Sequence, residues 1–191
     1  MKLKWLLAAV AFAVTTAQAD PITYEGTLVS RVPVTGEVGG FSYIDRNVGQ
    51  MDFWRVFAEG ANRITLVAHR IAPELDPAMS FYFGQTSADG SLFDPYASFG
   101  GLTHLADADD ELPSTIGPYG DPFIELVVRR TGYYTIAIGG SASDSSGLLG
   151  YTLTATVVPL PATLLLVGAG MLALGWARRS VAAPGSGLNA G

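Results

Sequence analysis

The sequence predicts an all-β sandwich carried between two apolar ends, and three observations lead there. Short runs with alternating apolar and polar residues recur between Gly, Pro, Asp and Ser clusters, the pattern of half-buried strands. Nothing between residues 20 and 158 sustains a helical period beyond a turn or two. The long apolar runs lie close to the two termini. About seven short strands in about 139 residues suit two packed sheets around one core.

The N-terminal run comes first. Lys2 and Lys4 precede an apolar stretch from Trp5 to Val14, and Ala17-Gln18-Ala19 follows with the small-x-small pattern of a signal peptidase site. Residues 1–19 therefore read as a secretory signal peptide cleaved after Ala19, with Ala17 and Ala19 as the site residues. The apolar stretch is too short to favour an N-terminal anchor.

The strands expected in the passenger, residues 20–158, are Ile22–Ser30, Asp52–Ala58, Arg63–His69, Met79–Gly84, Phe123–Arg129, Tyr133–Gly139 and Tyr151–Val158. The last alternates most clearly, with Tyr151, Leu153, Ala155 and Val157 on one face and Thr152, Thr154 and Thr156 on the other. Tyr133–Gly139 is its expected hairpin mate, across the loose loop Gly139 to Gly147. Gln85 to Gly120 has no clear strand. A stretch that long carries a ligand or hides short strands, Ala97–Leu102 among them.

A second apolar run, Leu160 to Trp176, closes with Arg178 and Arg179. Seventeen residues rise about 25 Å as a helix, the short limit for crossing a bilayer, and the arginine pair would stay on the cytoplasmic side. The alternative, a buried C-terminal helix of the domain, lacks the polar face that a surface helix needs. Residues 159–179 thus read as a transmembrane sorting segment, and 180–191, small and uncharged, as a disordered tail.

Val158-Pro159-Leu160-Pro161-Ala162, the apolar run and the Arg178-Arg179 pair together resemble the PEP-CTERM group of sorting signals in its VPLPA-CTERM variant. The resemblance implies a substrate of an exosortase-like membrane enzyme, exported by the Sec route and anchored by its C-terminal helix before processing. The cell surface or extracellular matrix of a Gram-negative, polysaccharide-making bacterium is its implied destination. The twelve residues after the arginines depart from the usual pattern. Leu160-Pro161-Ala162-Thr163 also matches most of a sortase signal, but Leu164 stands where that signal has glycine.

Composition narrows the function classes. The 191-residue chain has no cysteine, which excludes disulfides, thiolate metal sites, a cysteine nucleophile and a lipoprotein anchor. All 17 acidic residues and seven of the nine arginines fall between Asp20 and Asp144, with no lysine there, so the passenger carries a net −10. That balance argues against nucleic acid, anionic polymers and lipid headgroups. It favours divalent cations.

A second resemblance rests on Asp52-Phe53-Trp54-Arg55-Val56, Asp76 ahead of Ser80-Phe81-Tyr82-Phe83, Asp107-Ala108-Asp109-Asp110, Gly132-Tyr133-Tyr134-Thr135-Ile136 and Gly150-Tyr151-Thr152-Leu153, in that order. Residues 45–158 are similar to the bacterial pre-peptidase C-terminal type of β-sandwich. This resemblance implies a jelly-roll-like binding or spacer module without catalytic residues.

The candidate metal ligands are Asp107, Asp109, Asp110 and Glu111, with Asp121 nearby and Asp76 as a distant addition. Calcium takes six to eight oxygens on an adaptable loop, and closely spaced carboxylates supply several. Leu112 occupies the place where an EF-hand needs glycine, so the site would be irregular, and the alternative is a solvated acidic loop. Two histidines, His69 and His104, are too few for zinc, and His104 reads as a surface pair with Asp107. Ser141, Ser143, Ser145 and Ser146 lack the Gly-x-Ser-x-Gly frame of a nucleophile; a paired-carboxylate glycosidase stays open, since two acids can meet in any fold, but so small a domain without an embellished cleft argues against catalysis.

No catalytic residue and no cofactor other than calcium is expected. Half of Trp54, Phe81, Tyr82, Phe83, Tyr133, Tyr134 and Tyr151 should face the core, the default for strand aromatics, and those facing out could stack on sugars, for which the loop residues Phe93, Tyr96, Phe99 and Tyr119 are the better candidates. The expected function is non-enzymatic, structural or adhesive, in the cell envelope or matrix. The alternative is an exopolysaccharide-binding module.

Overall fold

A computed structural model describes residues 21–114, 116–142 and 147–160. The signal peptide with Ala17 and Ala19, the serines at 143, 145 and 146, and the sorting residues Pro161, Ala162, Arg178 and Arg179 lie outside the described residues. So does the C-terminal tail.

Eleven strands run along the described chain: β1 (Gly26–Thr27), β2 (Val34–Gly39), β3 (Asp52–Ala58), β4 (Asn62–Arg70), β5 (Asp76–Phe83), β6 (Thr103–Ala108), β7 (Leu112–Pro113), β8 (Gly120–Asp121), β9 (Phe123–Val127), β10 (Gly132–Ala142) and β11 (Leu148–Pro159). One sheet has the order β1-β3-β10-β5-β6, the other β2-β11-β4-β9, and β7 pairs with β8 apart from both. All pairings are antiparallel except β1 with β3. The helical content of the described residues is two three-residue 3-10 turns, so none of their helices is long enough to cross a membrane.

Strand alternation builds the core between the sheets. Leu149, Tyr151, Leu153 and Ala155 of β11 face inward with Ile64, Leu66 and Ala68 of β4. They meet Trp54 and Val56 of β3, Met79 and Phe81 of β5, and Ile136 and Ile138 of β10. The threonines of β11 lie on its outer, half-exposed face, as the period-two pattern requires.

The five-stranded sheet is covered on its other face too. Phe53, Ala78, Tyr82 and Ala137 pack there against Ile22, Tyr43, Met51, Phe93, Phe99 and Leu102, forming a second core. β5 and β10 are therefore buried on both faces, which is why they read as nearly continuous apolar runs. Close contact with the cover needs glycine at 139, where a Cβ would stand 2.8 Å from Ser42 Oγ and 2.9 Å from the Tyr43 nitrogen.

Three strand expectations are corrected, and one strand was not foreseen. Tyr133–Gly139 and Tyr151–Val158 do not form a hairpin. β10 is flanked on both edges by β3 and β5, β11 lies between β2 and β4, and the chain from β10 to β11 crosses from one sheet to the other. A tight hairpin needs a two- to five-residue turn, and the Gly- and Ser-rich sequence between these strands carries no signal that imposes one. The expected strand Ile22–Ser30 shrinks to Gly26–Thr27, because Ile22 and Leu28 point into different cores. β2 was not expected, since Val34-Thr35-Gly36-Glu37-Val38-Gly39 holds two glycines and a charge. Ala97–Leu102 contributes a single bridge, Phe99 to Leu102, and the strand follows it as β6.

Candidate metal centre

Strand register assembles an acidic corner. β5 begins at Asp76, opposite Ala142 at the end of β10, and its other neighbour β6 ends at Ala108, opposite Met79. Asp109 and Asp110 thus leave β6 beside the start of β5. One carboxylate oxygen from each of Asp76, Asp109 and Asp110 lies within 4.8 Å of the others.

The three carboxylates differ in environment. Asp76 is buried, Asp109 half-buried and Asp110 exposed. Ser141 Oγ is 2.7 Å from Asp76 Oδ2 and 3.1 Å from Asp109 Oδ1, and its single proton can serve one of them at a time. Asp76 Oδ1 is buried without a hydrogen-bond partner. Burial, then the negative charge of Asp76, pushes the Asp109 carboxyl up to about 6. Burial also raises Asp76, and the Asp110 charge adds to the shift, while the Ser141 hydrogen bond opposes it. Like charges crowded in a partly buried corner repel one another, and a cation would relieve that repulsion.

The other residues expected at this site take different places. Glu111 Oε2 accepts from the backbone nitrogens of Asp109 (2.9 Å) and Phe123 (3.3 Å) and so fixes the turn. Asp110 Oδ1 also accepts from the Gly120 nitrogen at 2.5 Å. Asp107 Oδ1 lies 3.4 Å from His104 Nε2, but that nitrogen is buried and makes no hydrogen bond, so the two do not form the surface pair that was expected. Asp121 is buried against Arg70, its Oδ1 accepting from Nε at 3.0 Å, while Oδ2 lies 2.9 Å from His69 Nδ1. The structure therefore brings together Asp76, Asp109 and Asp110 and gives Asp107, Glu111 and Asp121 other places.

Ser141 is the member that sequence reasoning missed as a neighbour of these acids. It closes β10 rather than lying in a free loop, and no local signal ties it to Asp76 across 65 residues. Among the loop aromatics, Phe93 and Phe99 belong to the second core, and Tyr119 lies under the Arg70 guanidinium, 5.7 Å from its ring centre. Tyr96 stays 57 % exposed.

The sorting residues complete the picture. Val158 pairs with Arg63 and Pro159 with Asn62 at the end of β11, and the Leu160 nitrogen donates to the Ala61 carbonyl at 3.4 Å.

Comparison with known proteins gives one sequence match and several structural ones. A PEP-CTERM protein-sorting motif matches residues 157–179. No curated protein sequence matches the chain. CorA, a surface-associated copper-binding protein important in copper acquisition by Methylomicrobium album BG8, is similar in structure at a TM-score of 0.55 and 10% identity. That match covers 71% of this chain and 98% of CorA. The pre-peptidase C-terminal domain of Bacillus anthracis collagenase is also among the similar structures, at a TM-score of 0.41, 10% identity, and 71% and 98% coverage. The periplasmic lysozyme inhibitor PliG of Aeromonas hydrophila has a TM-score of 0.45, 14% identity, and 73% and 99% coverage. The likeness to CorA shows a shared fold alone. The chain is a β-sandwich bearing a PEP-CTERM sorting signal, which implies export, anchoring in the membrane and processing by an exosortase-like enzyme.

Proposed function

We propose a non-enzymatic protein of the cell surface or matrix, structural or adhesive in role, whose acidic corner is locked by calcium. The observation that carries the metal reading is Asp76 Oδ1, a buried carboxylate oxygen without a partner beside two further carboxylates. A cation there would tie the start of β5 to the turn after β6. Through Ser141 it would also hold the end of β10.

The donor set supports calcium over copper, although CorA is described as copper-binding. Carboxylate and hydroxyl oxygens suit a hard cation, whereas copper favours imidazole and sulfur ligands.

Thermal unfolding of the full chain with chelator and with calcium tests this. At a tenfold excess over Kd, binding adds about 1.4 kcal/mol, a rise in Tm of about 5 °C. Asp109→Ala removes the rise, and a wild-type Tm that ignores millimolar calcium overturns the reading.

Exopolysaccharide binding is the second reading, supported by Tyr96, which is exposed and held edge-on by Tyr43 at 6.0 Å between ring centres. Retention on the host's polysaccharide that Tyr96→Ala abolishes would favour it.

A further inference from the structure

We propose that the end of the sandwich from which the chain leaves at Leu160 is a docking face for an anionic phospholipid surface. The net charge of the passenger conceals how its charges are distributed along the strands. β11 ends at Pro159, and its register places Val158 beside Arg63 and Arg63 beside Val127 of β9. The β3–β4 and β9–β10 turns close around the same end, with Ala61 donating to the Val128 carbonyl and Gly60 to Thr131 Oγ1. The Arg31 nitrogen donates to the Ala155 carbonyl, which brings a third loop there.

Four of the seven passenger arginines, Arg31, Arg63, Arg129 and Arg130, are exposed at this end. The acidic groups that face them are Glu59 in the β3–β4 turn and Glu125, which lies 3.8 Å from Arg63. The opposite end holds Glu74, Asp76, Asp109, Asp110, Glu111 and Asp121 against Arg70. The sandwich is therefore polarised along its strands, basic where the chain leaves and acidic at the metal centre.

The basic end is also apolar. Val29, Val32, Val127 and Val158 are exposed there. A groove of about 390 Å³ opens between the two sheets, floored by Phe83, Leu105 and Leu126 and edged by Arg129 and Arg130. The Arg130 guanidinium carbon sits 4.8 Å from the Phe83 ring centre. Arginines around exposed aliphatic side chains match the boundary between headgroups and acyl chains, where phosphate and hydrocarbon lie a few ångströms apart.

The chain beyond this end identifies the occupant. The sorting motif begins at residue 157, inside β11, and Val157, Val158 and Pro159 are still paired with β4. The apolar run starts at Leu160, so no linker separates the last paired residue from it. While that segment is in the bilayer, the basic end is held at headgroup level. The acidic end, a strand length away, is kept off the same surface by repulsion.

The absence of cysteine from the sequence makes the test direct. An environment-sensitive fluorophore is placed on Val127→Cys or on Glu74→Cys in the full chain, which is reconstituted into phosphatidylcholine vesicles with and without phosphatidylglycerol. Spin-labelled lipid should quench the label at 127 far more when phosphatidylglycerol is present, and should spare the label at 74. Arg129→Gln with Arg130→Gln, both at exposed positions, should weaken the docked state about fivefold per arginine while the circular dichroism spectrum matches wild type. Arg31→Gln gives a second, independent reading on another loop. Quenching at 127 that is the same with and without phosphatidylglycerol would reflect the tether alone and overturn the proposal. Shielding that follows protein concentration would assign the face to a second copy of the chain and overturn it equally.

Discussion

Trp54 Nε1 donates a 2.8 Å hydrogen bond to the Tyr151 hydroxyl, which in turn lies 2.5 Å from Asp52 Oδ2 as its donor. Trp54 and Asp52 are two residues apart on β3, and Tyr151 is on β11, so this polar chain crosses the interface between the sheets. Gly36 makes room for it, since a Cβ at that position would collide with both the Asp52 carboxylate and the Tyr151 hydroxyl. Tyr151→Phe keeps the ring but leaves the buried indole N–H unpaired and removes the donor from Asp52. A loss of about 2–3 kcal/mol is expected, read as the shift in urea midpoint at constant m. A change below about 0.5 kcal/mol would mean that the tie adds nothing net.

Asp121 and Asp109 separate structural from metal-binding carboxylates. The Arg70 side chain is wholly buried, and Asp121 is the carboxylate that compensates it. Asp121→Ala strands that charge, at a cost of about 3–5 kcal/mol. Asp121→Asn is the milder variant, and its Tm should be lower in chelator yet still rise with calcium. Loss of the calcium response in folded Asp121→Asn would bring Asp121 into the metal centre.

The acidic corner also predicts how stability depends on pH in chelator. The Asp109 carboxyl titrates near 6 in the folded chain and near its ordinary 3.8 in the unfolded chain. Between those values the folded chain holds the extra proton, so stability from this group is present below pH 3.8 and is lost as pH rises through 6. After discounting for partial solvent screening, the loss is about 1–2 kcal/mol. Asp109→Asn should flatten the Tm profile between pH 4 and 6.5, and calcium should reverse the loss at neutral pH. An Asp109→Asn profile that tracks wild type would place the proton elsewhere.

The contrast between β11 and β2 shows what the sequence could disclose. β11 has one face buried and the other clothed in threonine, so its alternation is visible in the residues themselves. β3 was delimited correctly because Trp54, Val56 and Ala58 share a face and Gly60 follows in the turn. β2 survives through pairing with β11 rather than through its own composition, and β6 has half-exposed residues on its inner face. The acidic cluster was visible as composition, and Asp76 was named with it as a distant addition, but which of these acids meet was not visible. Asp76 and Ser141 reach Asp109 through the register of β5 against its two neighbours, a long-range fact with no trace in local spacing. Asp121 lies close in sequence to the cluster and is claimed by Arg70 instead. The partition of arginines is equally invisible until the strand directions are known.

The stretch after β5, expected to carry a ligand or hide short strands, serves largely as a lid on the five-stranded sheet, and two aromatic residues in it separate these roles. Phe93 is buried, edge-on to Phe53 at 5.7 Å, Phe99 at 5.4 Å and Tyr43 at 6.4 Å between ring centres. Three residues later, Tyr96 faces solvent. Phe93→Ala opens a cavity in the second core and should cost about 3–5 kcal/mol. Because the inter-sheet core does not include Phe93, amide exchange should speed first in residues 84–102 while β4 and β11 remain protected. Tyr96→Ala should change stability by less than about 0.5 kcal/mol, so any lost binding in that variant reports contact rather than unfolding. Equal acceleration across β11 in Phe93→Ala would mean that the two cores unfold as one unit and that the cover is integral to the sandwich.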